Sequence, residues 1–410
     1  MKVDYIALSI PIFFLLIGIE LFIAVWRKQK LYRFNDSITN ISLGIGQQVI
    51  GIFMKTGIFF TYLFIFTNYR FWNIEATLLN WVLLFFAVDF FYYWFHRLSH
   101  EVNALWAAHI VHHQSEEYNL SVALRQSWFQ NAFSWVFYLP LAFVGFEPVM
   151  FLTISSFNTL YQFWIHTRII GRMGFLELFL NTPSHHRVHH GSNPKYIDKN
   201  HAGTLIIWDR MFGTFQNEEE EPIYGVTKPL KSWNPVWANF HYWYELIQMA
   251  KLTRNISDKI ALFLKPPGWR PSELGGREFP TEINVQEFKK YNEHPHQLAW
   301  NYYVLYLFVL CLAVSTILLF KQSQFTGWQL LLSSGFSILT LVVCGGILEN
   351  KKWTYKIEFI RIAYGLLLIF SFYPNSFFKI ILIGGLALWV ISISYFLVLL
   401  KTKSHFLENR

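Results

Sequence analysis

The chain has 410 residues, of which 53% are hydrophobic, 20% aromatic and 15% charged, whereas about 25% of the residues of a soluble domain are charged. This composition argues against a wholly soluble globular protein and indicates a membrane protein with several spans. The net charge of +8 does not indicate a nucleic-acid partner, because the basic residues flank apolar segments. We expect anionic lipid headgroups and the bilayer as partners.

Seven segments are apolar and long enough to cross a bilayer core, which needs roughly 20 helical residues. In chain order they are 5–26, 41–66, 75–95, 299–320, 326–348, 355–372 and 377–400. The first is too long for a signal-peptide core, so we expect it to be retained. A further apolar segment, 132–165, is broken by Pro140, Gly145 and Pro148. For it we predict a helical hairpin that enters and leaves by the same membrane face.

The positions of the basic residues predict the orientation of these spans. Lysines and arginines cluster after the first span, after 326–348 and after the last span, whereas the opposite loops contain few. The positive-inside rule then places the basic loops in the cytoplasm, together with residues 96–131 and 166–298. We expect an integral, multi-pass protein of the endoplasmic reticulum in a eukaryote, or of the inner membrane in a bacterium.

The predicted fold is all-α: a polytopic membrane protein with a cytoplasmic, helical, His-rich di-metal domain and a C-terminal four-helix membrane block. We expect four parts, namely N-terminal transmembrane helices (1–74), a His-rich catalytic domain that includes the hairpin (75–252), a proline-rich cytoplasmic connector (253–298) and the C-terminal helices (299–410).

Ten of the fifteen histidines fall between positions 96 and 190, most of them in the motifs HRLSH, HIVHH and HRVHH. The eight motif histidines are His96, His100, His109, His112, His113, His186, His189 and His190. Spacings of three and four residues put side chains on one face of a helix, with Cβ atoms about 5–6 Å apart. Two imidazoles of one helix can therefore reach the same metal ion. Because a zinc-type site takes four ligands, eight imidazoles favour two ions.

The spacing does not choose the metal, since imidazole suits iron, zinc, copper and nickel. The clustered histidines lack the Glu-x-x-His motif of carboxylate-rich di-iron bundles, and HEVNA (100–104) departs from the H-E-x-x-H pattern of zinc proteases. His166, at the end of the hairpin, is a further candidate ligand. His185 is either a ligand or an orienting neighbour, and we expect His201 to be structural.

The three motifs, in this order and between spans, resemble the fatty acid hydroxylase/sterol desaturase superfamily of non-haem di-iron enzymes. The stretches HRLSHEVNALWAAHIVHHQSEEYNLSVALRQS (96–127) and LNTPSHHRVHHGSNPKYIDKNHAGTLIIWDRMFGTFQNEEEEPIYG (180–225) look like its alkylglycerol monooxygenase branch. The resemblance covers roughly residues 75–230 closely. The C-terminal helices also fit that branch, but their sequence is less diagnostic.

The resemblance implies two iron ions, O2 as co-substrate and tetrahydrobiopterin as electron donor. It implies hydroxylation of the ether-linked carbon of an alkylglycerol or a lyso-ether phospholipid, which yields a fatty aldehyde and a glycerol derivative. The family's iron ligands carry over to the eight motif histidines, with His166 as a ninth. One departure is His201, where the family pattern predicts an aromatic residue.

Five other residues are candidates for the site. Metal-bound histidines commonly give their second N–H to a carboxylate, and Asp89, two helical turns before the first motif, lies in an apolar span where a charge is costly. Glu101 directly follows that motif. We predict a catalytic or orienting role for both, with Glu101 also a candidate contact of the reductant. Asn119, Arg125 and Gln126 are candidates for binding the lipid headgroup or the pterin.

Two rival functions stay open at this point. The first is a hydroxylase or desaturase of fatty acyl, sterol or carotenoid lipids that receives electrons from an external cytochrome b5 or ferredoxin. The second is a metal transporter or sensor, although transporters usually place their ligands near the bilayer midplane. Oxidation of an ether lipid that depends on pterin, and not on ferredoxin, would distinguish the alkylglycerol monooxygenase function from the first rival. Metal flux without oxygen uptake would favour the second rival.

Overall fold

The computed structural model describes residues 5–280, 288–291, 298–372 and 379–408. Across these ranges the chain is helical, and its extended pairings are two isolated bridges, Leu180 with Leu205 and Gly191 with Tyr224. The predicted all-α class is therefore confirmed. Parts of the predicted connector, 281–287 and 292–297, lie outside the described residues, as do 373–378, which include the first two residues of the last predicted span.

The chain divides into two compact units, of which the first comprises residues 1–47, 51–230 and 238–291. Its helices are α1 (Tyr5–Trp26), α2 (Phe34–Tyr69), α3 (Leu78–Glu101), α4 (Asn103–His113), α5 (Gln130–Ser134), α6 (Leu139–Val144), α7 (Pro148–Trp164), α8 (Pro183–His189), α9 (Ile207–Phe212), the greater part of α10 (Pro235–Leu252), and α11 (Ile256–Leu264).

Five helical segments among the described residues are long and apolar enough to cross a membrane. They are Leu8–Trp26, Phe34–Tyr69, Leu78–Glu101, Leu298–Gln324 and Gly327–Leu348. The span predicted at 355–372 is also helical, but it contains Lys356, Glu358 and Arg361 and does not meet this criterion. In the last predicted span, the described apolar segment is Ile383–Leu399. The chain is a multi-pass membrane protein.

The segment predicted as a hairpin is a broken helix followed by a turn and a second helix. Helices α5 and α6 are joined by the 3-10 turn Trp135–Tyr138, and α7 begins at Pro148. Between α6 and α7, Gly145 has a φ of 112°, which favours glycine, and a Cβ there would collide with the carbonyl of Trp72. The hairpin side chains pack in one core with Leu84 and Val88 of α3. Its entry and exit by one membrane face stays a prediction.

A sharp corner between α3 and α4 positions the first two histidine motifs. Val102 is extended, with φ −126° and ψ 120°, and interrupts the helix. Asn103 stabilises the corner because its amide donates to the carbonyl of Leu262 at 2.9 Å and its side-chain oxygen accepts from Tyr242 at 2.6 Å. Because of this corner, the histidines at the end of α3 face the histidines of α4.

The second unit comprises residues 48–50, 231–237 and 292–410. Its helices are α12 (Leu298–Lys321), α13 (Gly327–Leu348), α14 (Trp353–Ser371) and α15 (Lys379–Glu408), and each packs on the next. A buried ion pair joins Arg361 to both oxygens of Glu358 at 2.7 Å, and Tyr303 donates to the same carboxylate. That these helices form a membrane block, and the division of the chain into four parts, stay predictions.

Candidate metal centre

Nine buried histidines lie together in the first unit and form two adjacent groups. The first group contains His96, His100, His109, His113 and His189, and the second contains His112, His166, His186 and His190. Within each group, one ring nitrogen of every residue lies within 4.8 Å of those of the others. The rings of His113 and His190 are 4.5 Å apart between centroids. The structure thus brings together the eight motif histidines and His166.

The helical spacing decides which histidines share a group. The pairs spaced by four residues stay together, namely His96 with His100, His109 with His113, and His186 with His190. The middle histidine of each triple motif, His112 or His189, joins the other group. Each of the two triple motifs therefore contributes to both groups, which holds the groups side by side.

Five rings are fixed by a hydrogen bond at Nδ1 to a carbonyl oxygen. These are His96 to the carbonyl of His201 (2.7 Å), His109 to the side chain of Gln130 (3.0 Å), His112 to the carbonyl of Arg125 (2.9 Å), His166 to the carbonyl of Gln162 (2.7 Å) and His189 to the carbonyl of Lys199 (2.9 Å). A carbonyl oxygen only accepts, so Nδ1 carries the proton. Nε2 of each neutral ring is then left with a free lone pair, which is the form that binds a metal.

These free Nε2 atoms face one another at short distances. The Nε2 atoms of His96 and His109 are 3.1 Å apart, and those of His112 and His166 are 3.2 Å apart. No proton is available to join either pair, because both rings of each pair donate at Nδ1. Opposed lone pairs repel, and a cation between them removes the repulsion. The donor set therefore fits a metal ion in each group.

Protonation of a ring cannot take the place of the metal cation in relieving this repulsion at neutral pH. Burial lowers the pKa of His109 and of His166 to about 4, because a charged ring is poorly solvated inside the protein. Among the described residues, Nε2 of His100, His189 and His190 finds no hydrogen-bond partner. Buried polar atoms left without a partner are uncommon in native proteins. Metal ligation accounts for all three.

Asp89 contacts main-chain and side-chain donors of the loop after the third motif. Its oxygens accept from the amides of Thr204 (2.7 Å) and Leu205 (3.0 Å), from Trp208 Nε1 (2.9 Å) and from Asn158 Nδ2 (2.6 Å). These contacts hold the loop in which the carbonyl of His201 accepts a hydrogen bond from Nδ1 of His96. The hydrogen bonds of Asp89 are therefore with this loop, with α9 and with α7, and its predicted catalytic role stays a prediction.

Glu101 lies at the end of α3, where its carboxylate pairs with Arg97 at 2.8 Å. The side chain is 36% exposed, unlike the buried histidines beside it. The structure thus leaves Glu101 accessible from outside the centre. Its predicted catalytic role stays a prediction.

Asn119, Arg125 and Gln126 have intramolecular partners. Asn119 donates to the carbonyl of Leu31 at 2.7 Å, and Gln126 donates to that of Ala123 at 3.0 Å. The buried guanidinium of Arg125 has three partners, the carbonyl of Val111 (2.7 Å), Asn40 Oδ1 (3.0 Å) and Gln114 Oε1 (2.8 Å). Arg125 thereby orients the carbonyl that anchors His112. Binding of a headgroup or pterin by these three residues stays a prediction.

Two further histidines lie near the centre but outside both groups. The ring of His185 packs against Phe215 with centroids 5.3 Å apart, and the ring of His201 lies 5.0 Å from that of His100. His201 acts through its main chain, because its carbonyl anchors His96 and its amide donates to Asp209 at 2.8 Å.

Sequence reasoning missed the side chain of Gln130, which anchors His109, and the carbonyls that anchor four other rings. A main-chain carbonyl gives no signal in the sequence, since every residue type carries one.

The chain is similar in sequence to known lipid hydroxylases across the region that contains this centre. Residues 81–214 match the fatty acid hydroxylase family. The chain is 41% identical to alkylglycerol monooxygenase of Xenopus tropicalis over 87% of its own length and 80% of the relative, and 40% identical to that of Homo sapiens over 87% and 81%. It is 31% identical to the ornithine lipid hydroxylase OlsE of Rhizobium tropici over 32% and 39%. No solved structure matches the chain.

Proposed function

The chain belongs to the family of alkylglycerol monooxygenases, and on that premise we propose that it hydroxylates the ether-linked carbon of alkylglycerols. A hydroxyl group on that carbon makes a hemiacetal, which collapses to a fatty aldehyde and a free glycerol derivative. Family membership and the histidine groups together indicate an iron-dependent and O2-dependent monooxygenase that acts on a lipid alkyl chain.

The observation that carries the proposal is the division of nine histidines into two adjacent groups with opposed Nε2 lone pairs. We assign one iron ion to each group, with five histidines for the first and four for the second. Iron bound there supplies the activation of O2 that removal of hydrogen from an alkyl C–H bond requires.

The protein's own residues hold the ligands in place before metal arrives. The Nδ1 anchors fix the tautomer and orientation of five rings, and Arg125 holds one of the anchoring carbonyls. Asp89 and Asp209 hold the loop that carries a second anchoring carbonyl, that of His201. Because all nine rings are buried, the centre is shielded from bulk water, which protects a reactive oxidant from side reactions.

We place the lipid alkyl chain between the spans, since a lipid can move sideways from the bilayer into a centre at the end of α3. The apolar α3 and α7 are proposed to wall this route. We also propose that the centre lies on the cytoplasmic side and that tetrahydrobiopterin is the reductant.

The test uses the full chain, purified in detergent and loaded with iron without oxygen. Addition of O2, an alkylglycerol and tetrahydrobiopterin should give oxygen uptake and an equal amount of fatty aldehyde. The matched control is the ester-linked monoacylglycerol of the same chain length, which should give no aldehyde. Hydroxylation within an acyl chain, supported by ferredoxin and not by pterin, would establish the rival lipid hydroxylase. Metal flux into proteoliposomes without oxygen uptake would establish a transporter.

A further inference from the structure

The ring of His201 is a buried polar group that belongs to neither of the two histidine groups. It is completely buried, and neither Nδ1 nor Nε2 makes a hydrogen bond among the residues that the structure describes. We propose that one of these nitrogens hydrogen-bonds the small ligand, water or O2, of the iron ion assigned to the first group. The inference rests on the proposed function, because it assumes that ion.

The chemistry of imidazole makes the unpaired nitrogens of His201 informative. Burial lowers the pKa of His201 to about 3, so the ring is neutral at neutral pH. A neutral imidazole has one N–H that donates and one lone pair that accepts. The main chain of Asp198 lies beside the ring and can serve at most one of the two nitrogens. Because buried polar atoms without a partner are uncommon, the other nitrogen indicates a partner that is not part of the chain.

Three histidines of the first group surround the ring of His201. Its centroid lies 5.0 Å from that of His100 and 5.7 Å from those of His96 and His189. The aromatic ring of Tyr93 also lies near it, at 6.4 Å between centroids. The ring of His201 thus lies against the first group and has no access to solvent.

The first group offers a position for a small ligand. Its five imidazoles leave one position of an octahedral coordination sphere free. The nitrogens of His201 are not in the set of five that lie within 4.8 Å of one another. A ring beside three of the ligands but outside their set suits contact with a molecule bound to the ion better than coordination of the ion itself.

The loop that carries His201 is held on both sides of this residue. Asn200, directly before it, has a φ of 55°, a left-handed conformation that few residues other than glycine adopt. The side chain of Asn200 donates to the carbonyl of Gln216 at 2.7 Å and accepts from its amide at 2.8 Å. Asp209 accepts from the amides of His201 and Ala202, both at 2.8 Å. These bonds fix the main chain, so the position of the ring is set before iron binds.

The role of the ring can be separated from the role of the main chain. The carbonyl of His201 accepts from Nδ1 of His96 at 2.7 Å, and its amide donates to Asp209. Every residue type except proline keeps both of these main-chain groups. A side-chain substitution therefore keeps the anchor of His96, and a change in ligand binding reports on the ring.

The test measures azide binding to the full-length, iron-loaded protein in the ferric state. Azide is a small anion that coordinates ferric iron, and titration of the resulting absorption band gives its Kd. His201→Phe keeps a flat ring and removes both nitrogens, so we expect about tenfold weaker binding, the effect of one hydrogen bond to a charged ligand. The iron content should stay at the wild-type value. The matched control is His185→Phe at another buried histidine, which packs on Phe215 outside both groups and should bind azide as the wild type does.

Two further variants identify the nitrogen that forms the hydrogen bond. The side-chain N–H of an asparagine lies near the position of histidine Nδ1, and that of a glutamine lies near the position of Nε2. We expect either His201→Asn or His201→Gln to recover much of the azide affinity, depending on which ring nitrogen faces the ligand.

Three outcomes would overturn the inference and leave the proposed function intact. The first is wild-type azide affinity in His201→Phe. The second is loss of iron from that variant, which would make His201 a metal ligand. The third is equal weakening in the Phe, Asn and Gln variants, which would indicate a general disturbance of the loop. A wild-type protein that binds no iron would overturn both the inference and the proposed function.

Discussion

Nε2 of His112 lies 3.2 Å from Nε2 of His166, although both rings donate hydrogen bonds from Nδ1 to main-chain carbonyls 2.9 and 2.7 Å away. Neither Nε2 can then donate to the other. The anchors fix the two lone pairs in an arrangement that is unfavourable until a cation lies between them. Metal binding and the fold of the surrounding loops are therefore coupled.

Removal of one ligand from either histidine group should abolish activity, because each group is proposed to hold its own iron ion. His112→Ala and His189→Ala are each expected to abolish alkylglycerol oxidation, while the protein still inserts into membranes. Metal analysis of the purified variants should show less than two iron ions per chain in both. Full activity in a variant with a quantified iron content would refute the ligand assignment of that histidine.

The neighbouring residues His185 and His186 of α8 provide a matched pair. The ring of His186 belongs to the second group, whereas that of His185 packs on Phe215 outside both groups. We expect His186→Ala to lose iron and activity and His185→Ala to retain two iron ions per chain. Equal iron loss in both variants would indicate a general disturbance of α8.

Asp89→Asn should destabilise the loop that anchors His96. An asparagine presents an NH2 group where the carboxylate accepts from four N–H donors, and we expect a loss of about 2–4 kcal/mol in the free energy of unfolding. Thermal unfolding in detergent and the rate of iron release to a chelator measure the effect. A normal unfolding midpoint with loss of activity would instead establish a direct catalytic role for Asp89.

The metal-free protein should lose stability in acid. Burial holds the pKa of His109 and His166 at about 4, whereas an unfolded histidine has a pKa of about 6.5. As the pH falls from 6.5 to 4, the unfolded chain takes up protons that the folded chain does not bind, so the free energy of unfolding falls. Unfolding midpoints at pH 7.5 and pH 5 test this. Identical midpoints would show that the rings are not buried as described.

In the second unit, the buried pair of Glu358 and Arg361 should be sensitive to the loss of one partner. Arg361→Met leaves a buried carboxylate without its cation and is expected to cost about 3–5 kcal/mol. The double variant Glu358→Gln with Arg361→Met should recover much of this loss. The yield of folded protein and its unfolding midpoint measure both changes, and additive losses would show that the two side chains act independently.

Much of the fold could be predicted because helical periodicity and apolar length are local properties. The predicted spans all appear as helices, and the spacing by four residues that pairs His96 with His100 is kept in the first group. The span predicted at 355–372 did not meet the criterion for crossing a membrane. For α14 the reason is that three charged residues interrupt its apolar length.

What the sequence by itself determined was the set of eight motif histidines, with His166 as a further candidate, since imidazoles at helical spacing on one predicted side of a membrane have few other uses. Their distribution between two groups was decided only by the tertiary structure, because His112 and His189 cross to the group opposite their motif partners. The tertiary structure also decided which carbonyl oxygens accept hydrogen bonds from the Nδ1 atoms of the rings. Most are main-chain carbonyls, such as that of His201, and their positions depend on the path of a loop that Asp89 and Asp209 hold from a distance in sequence.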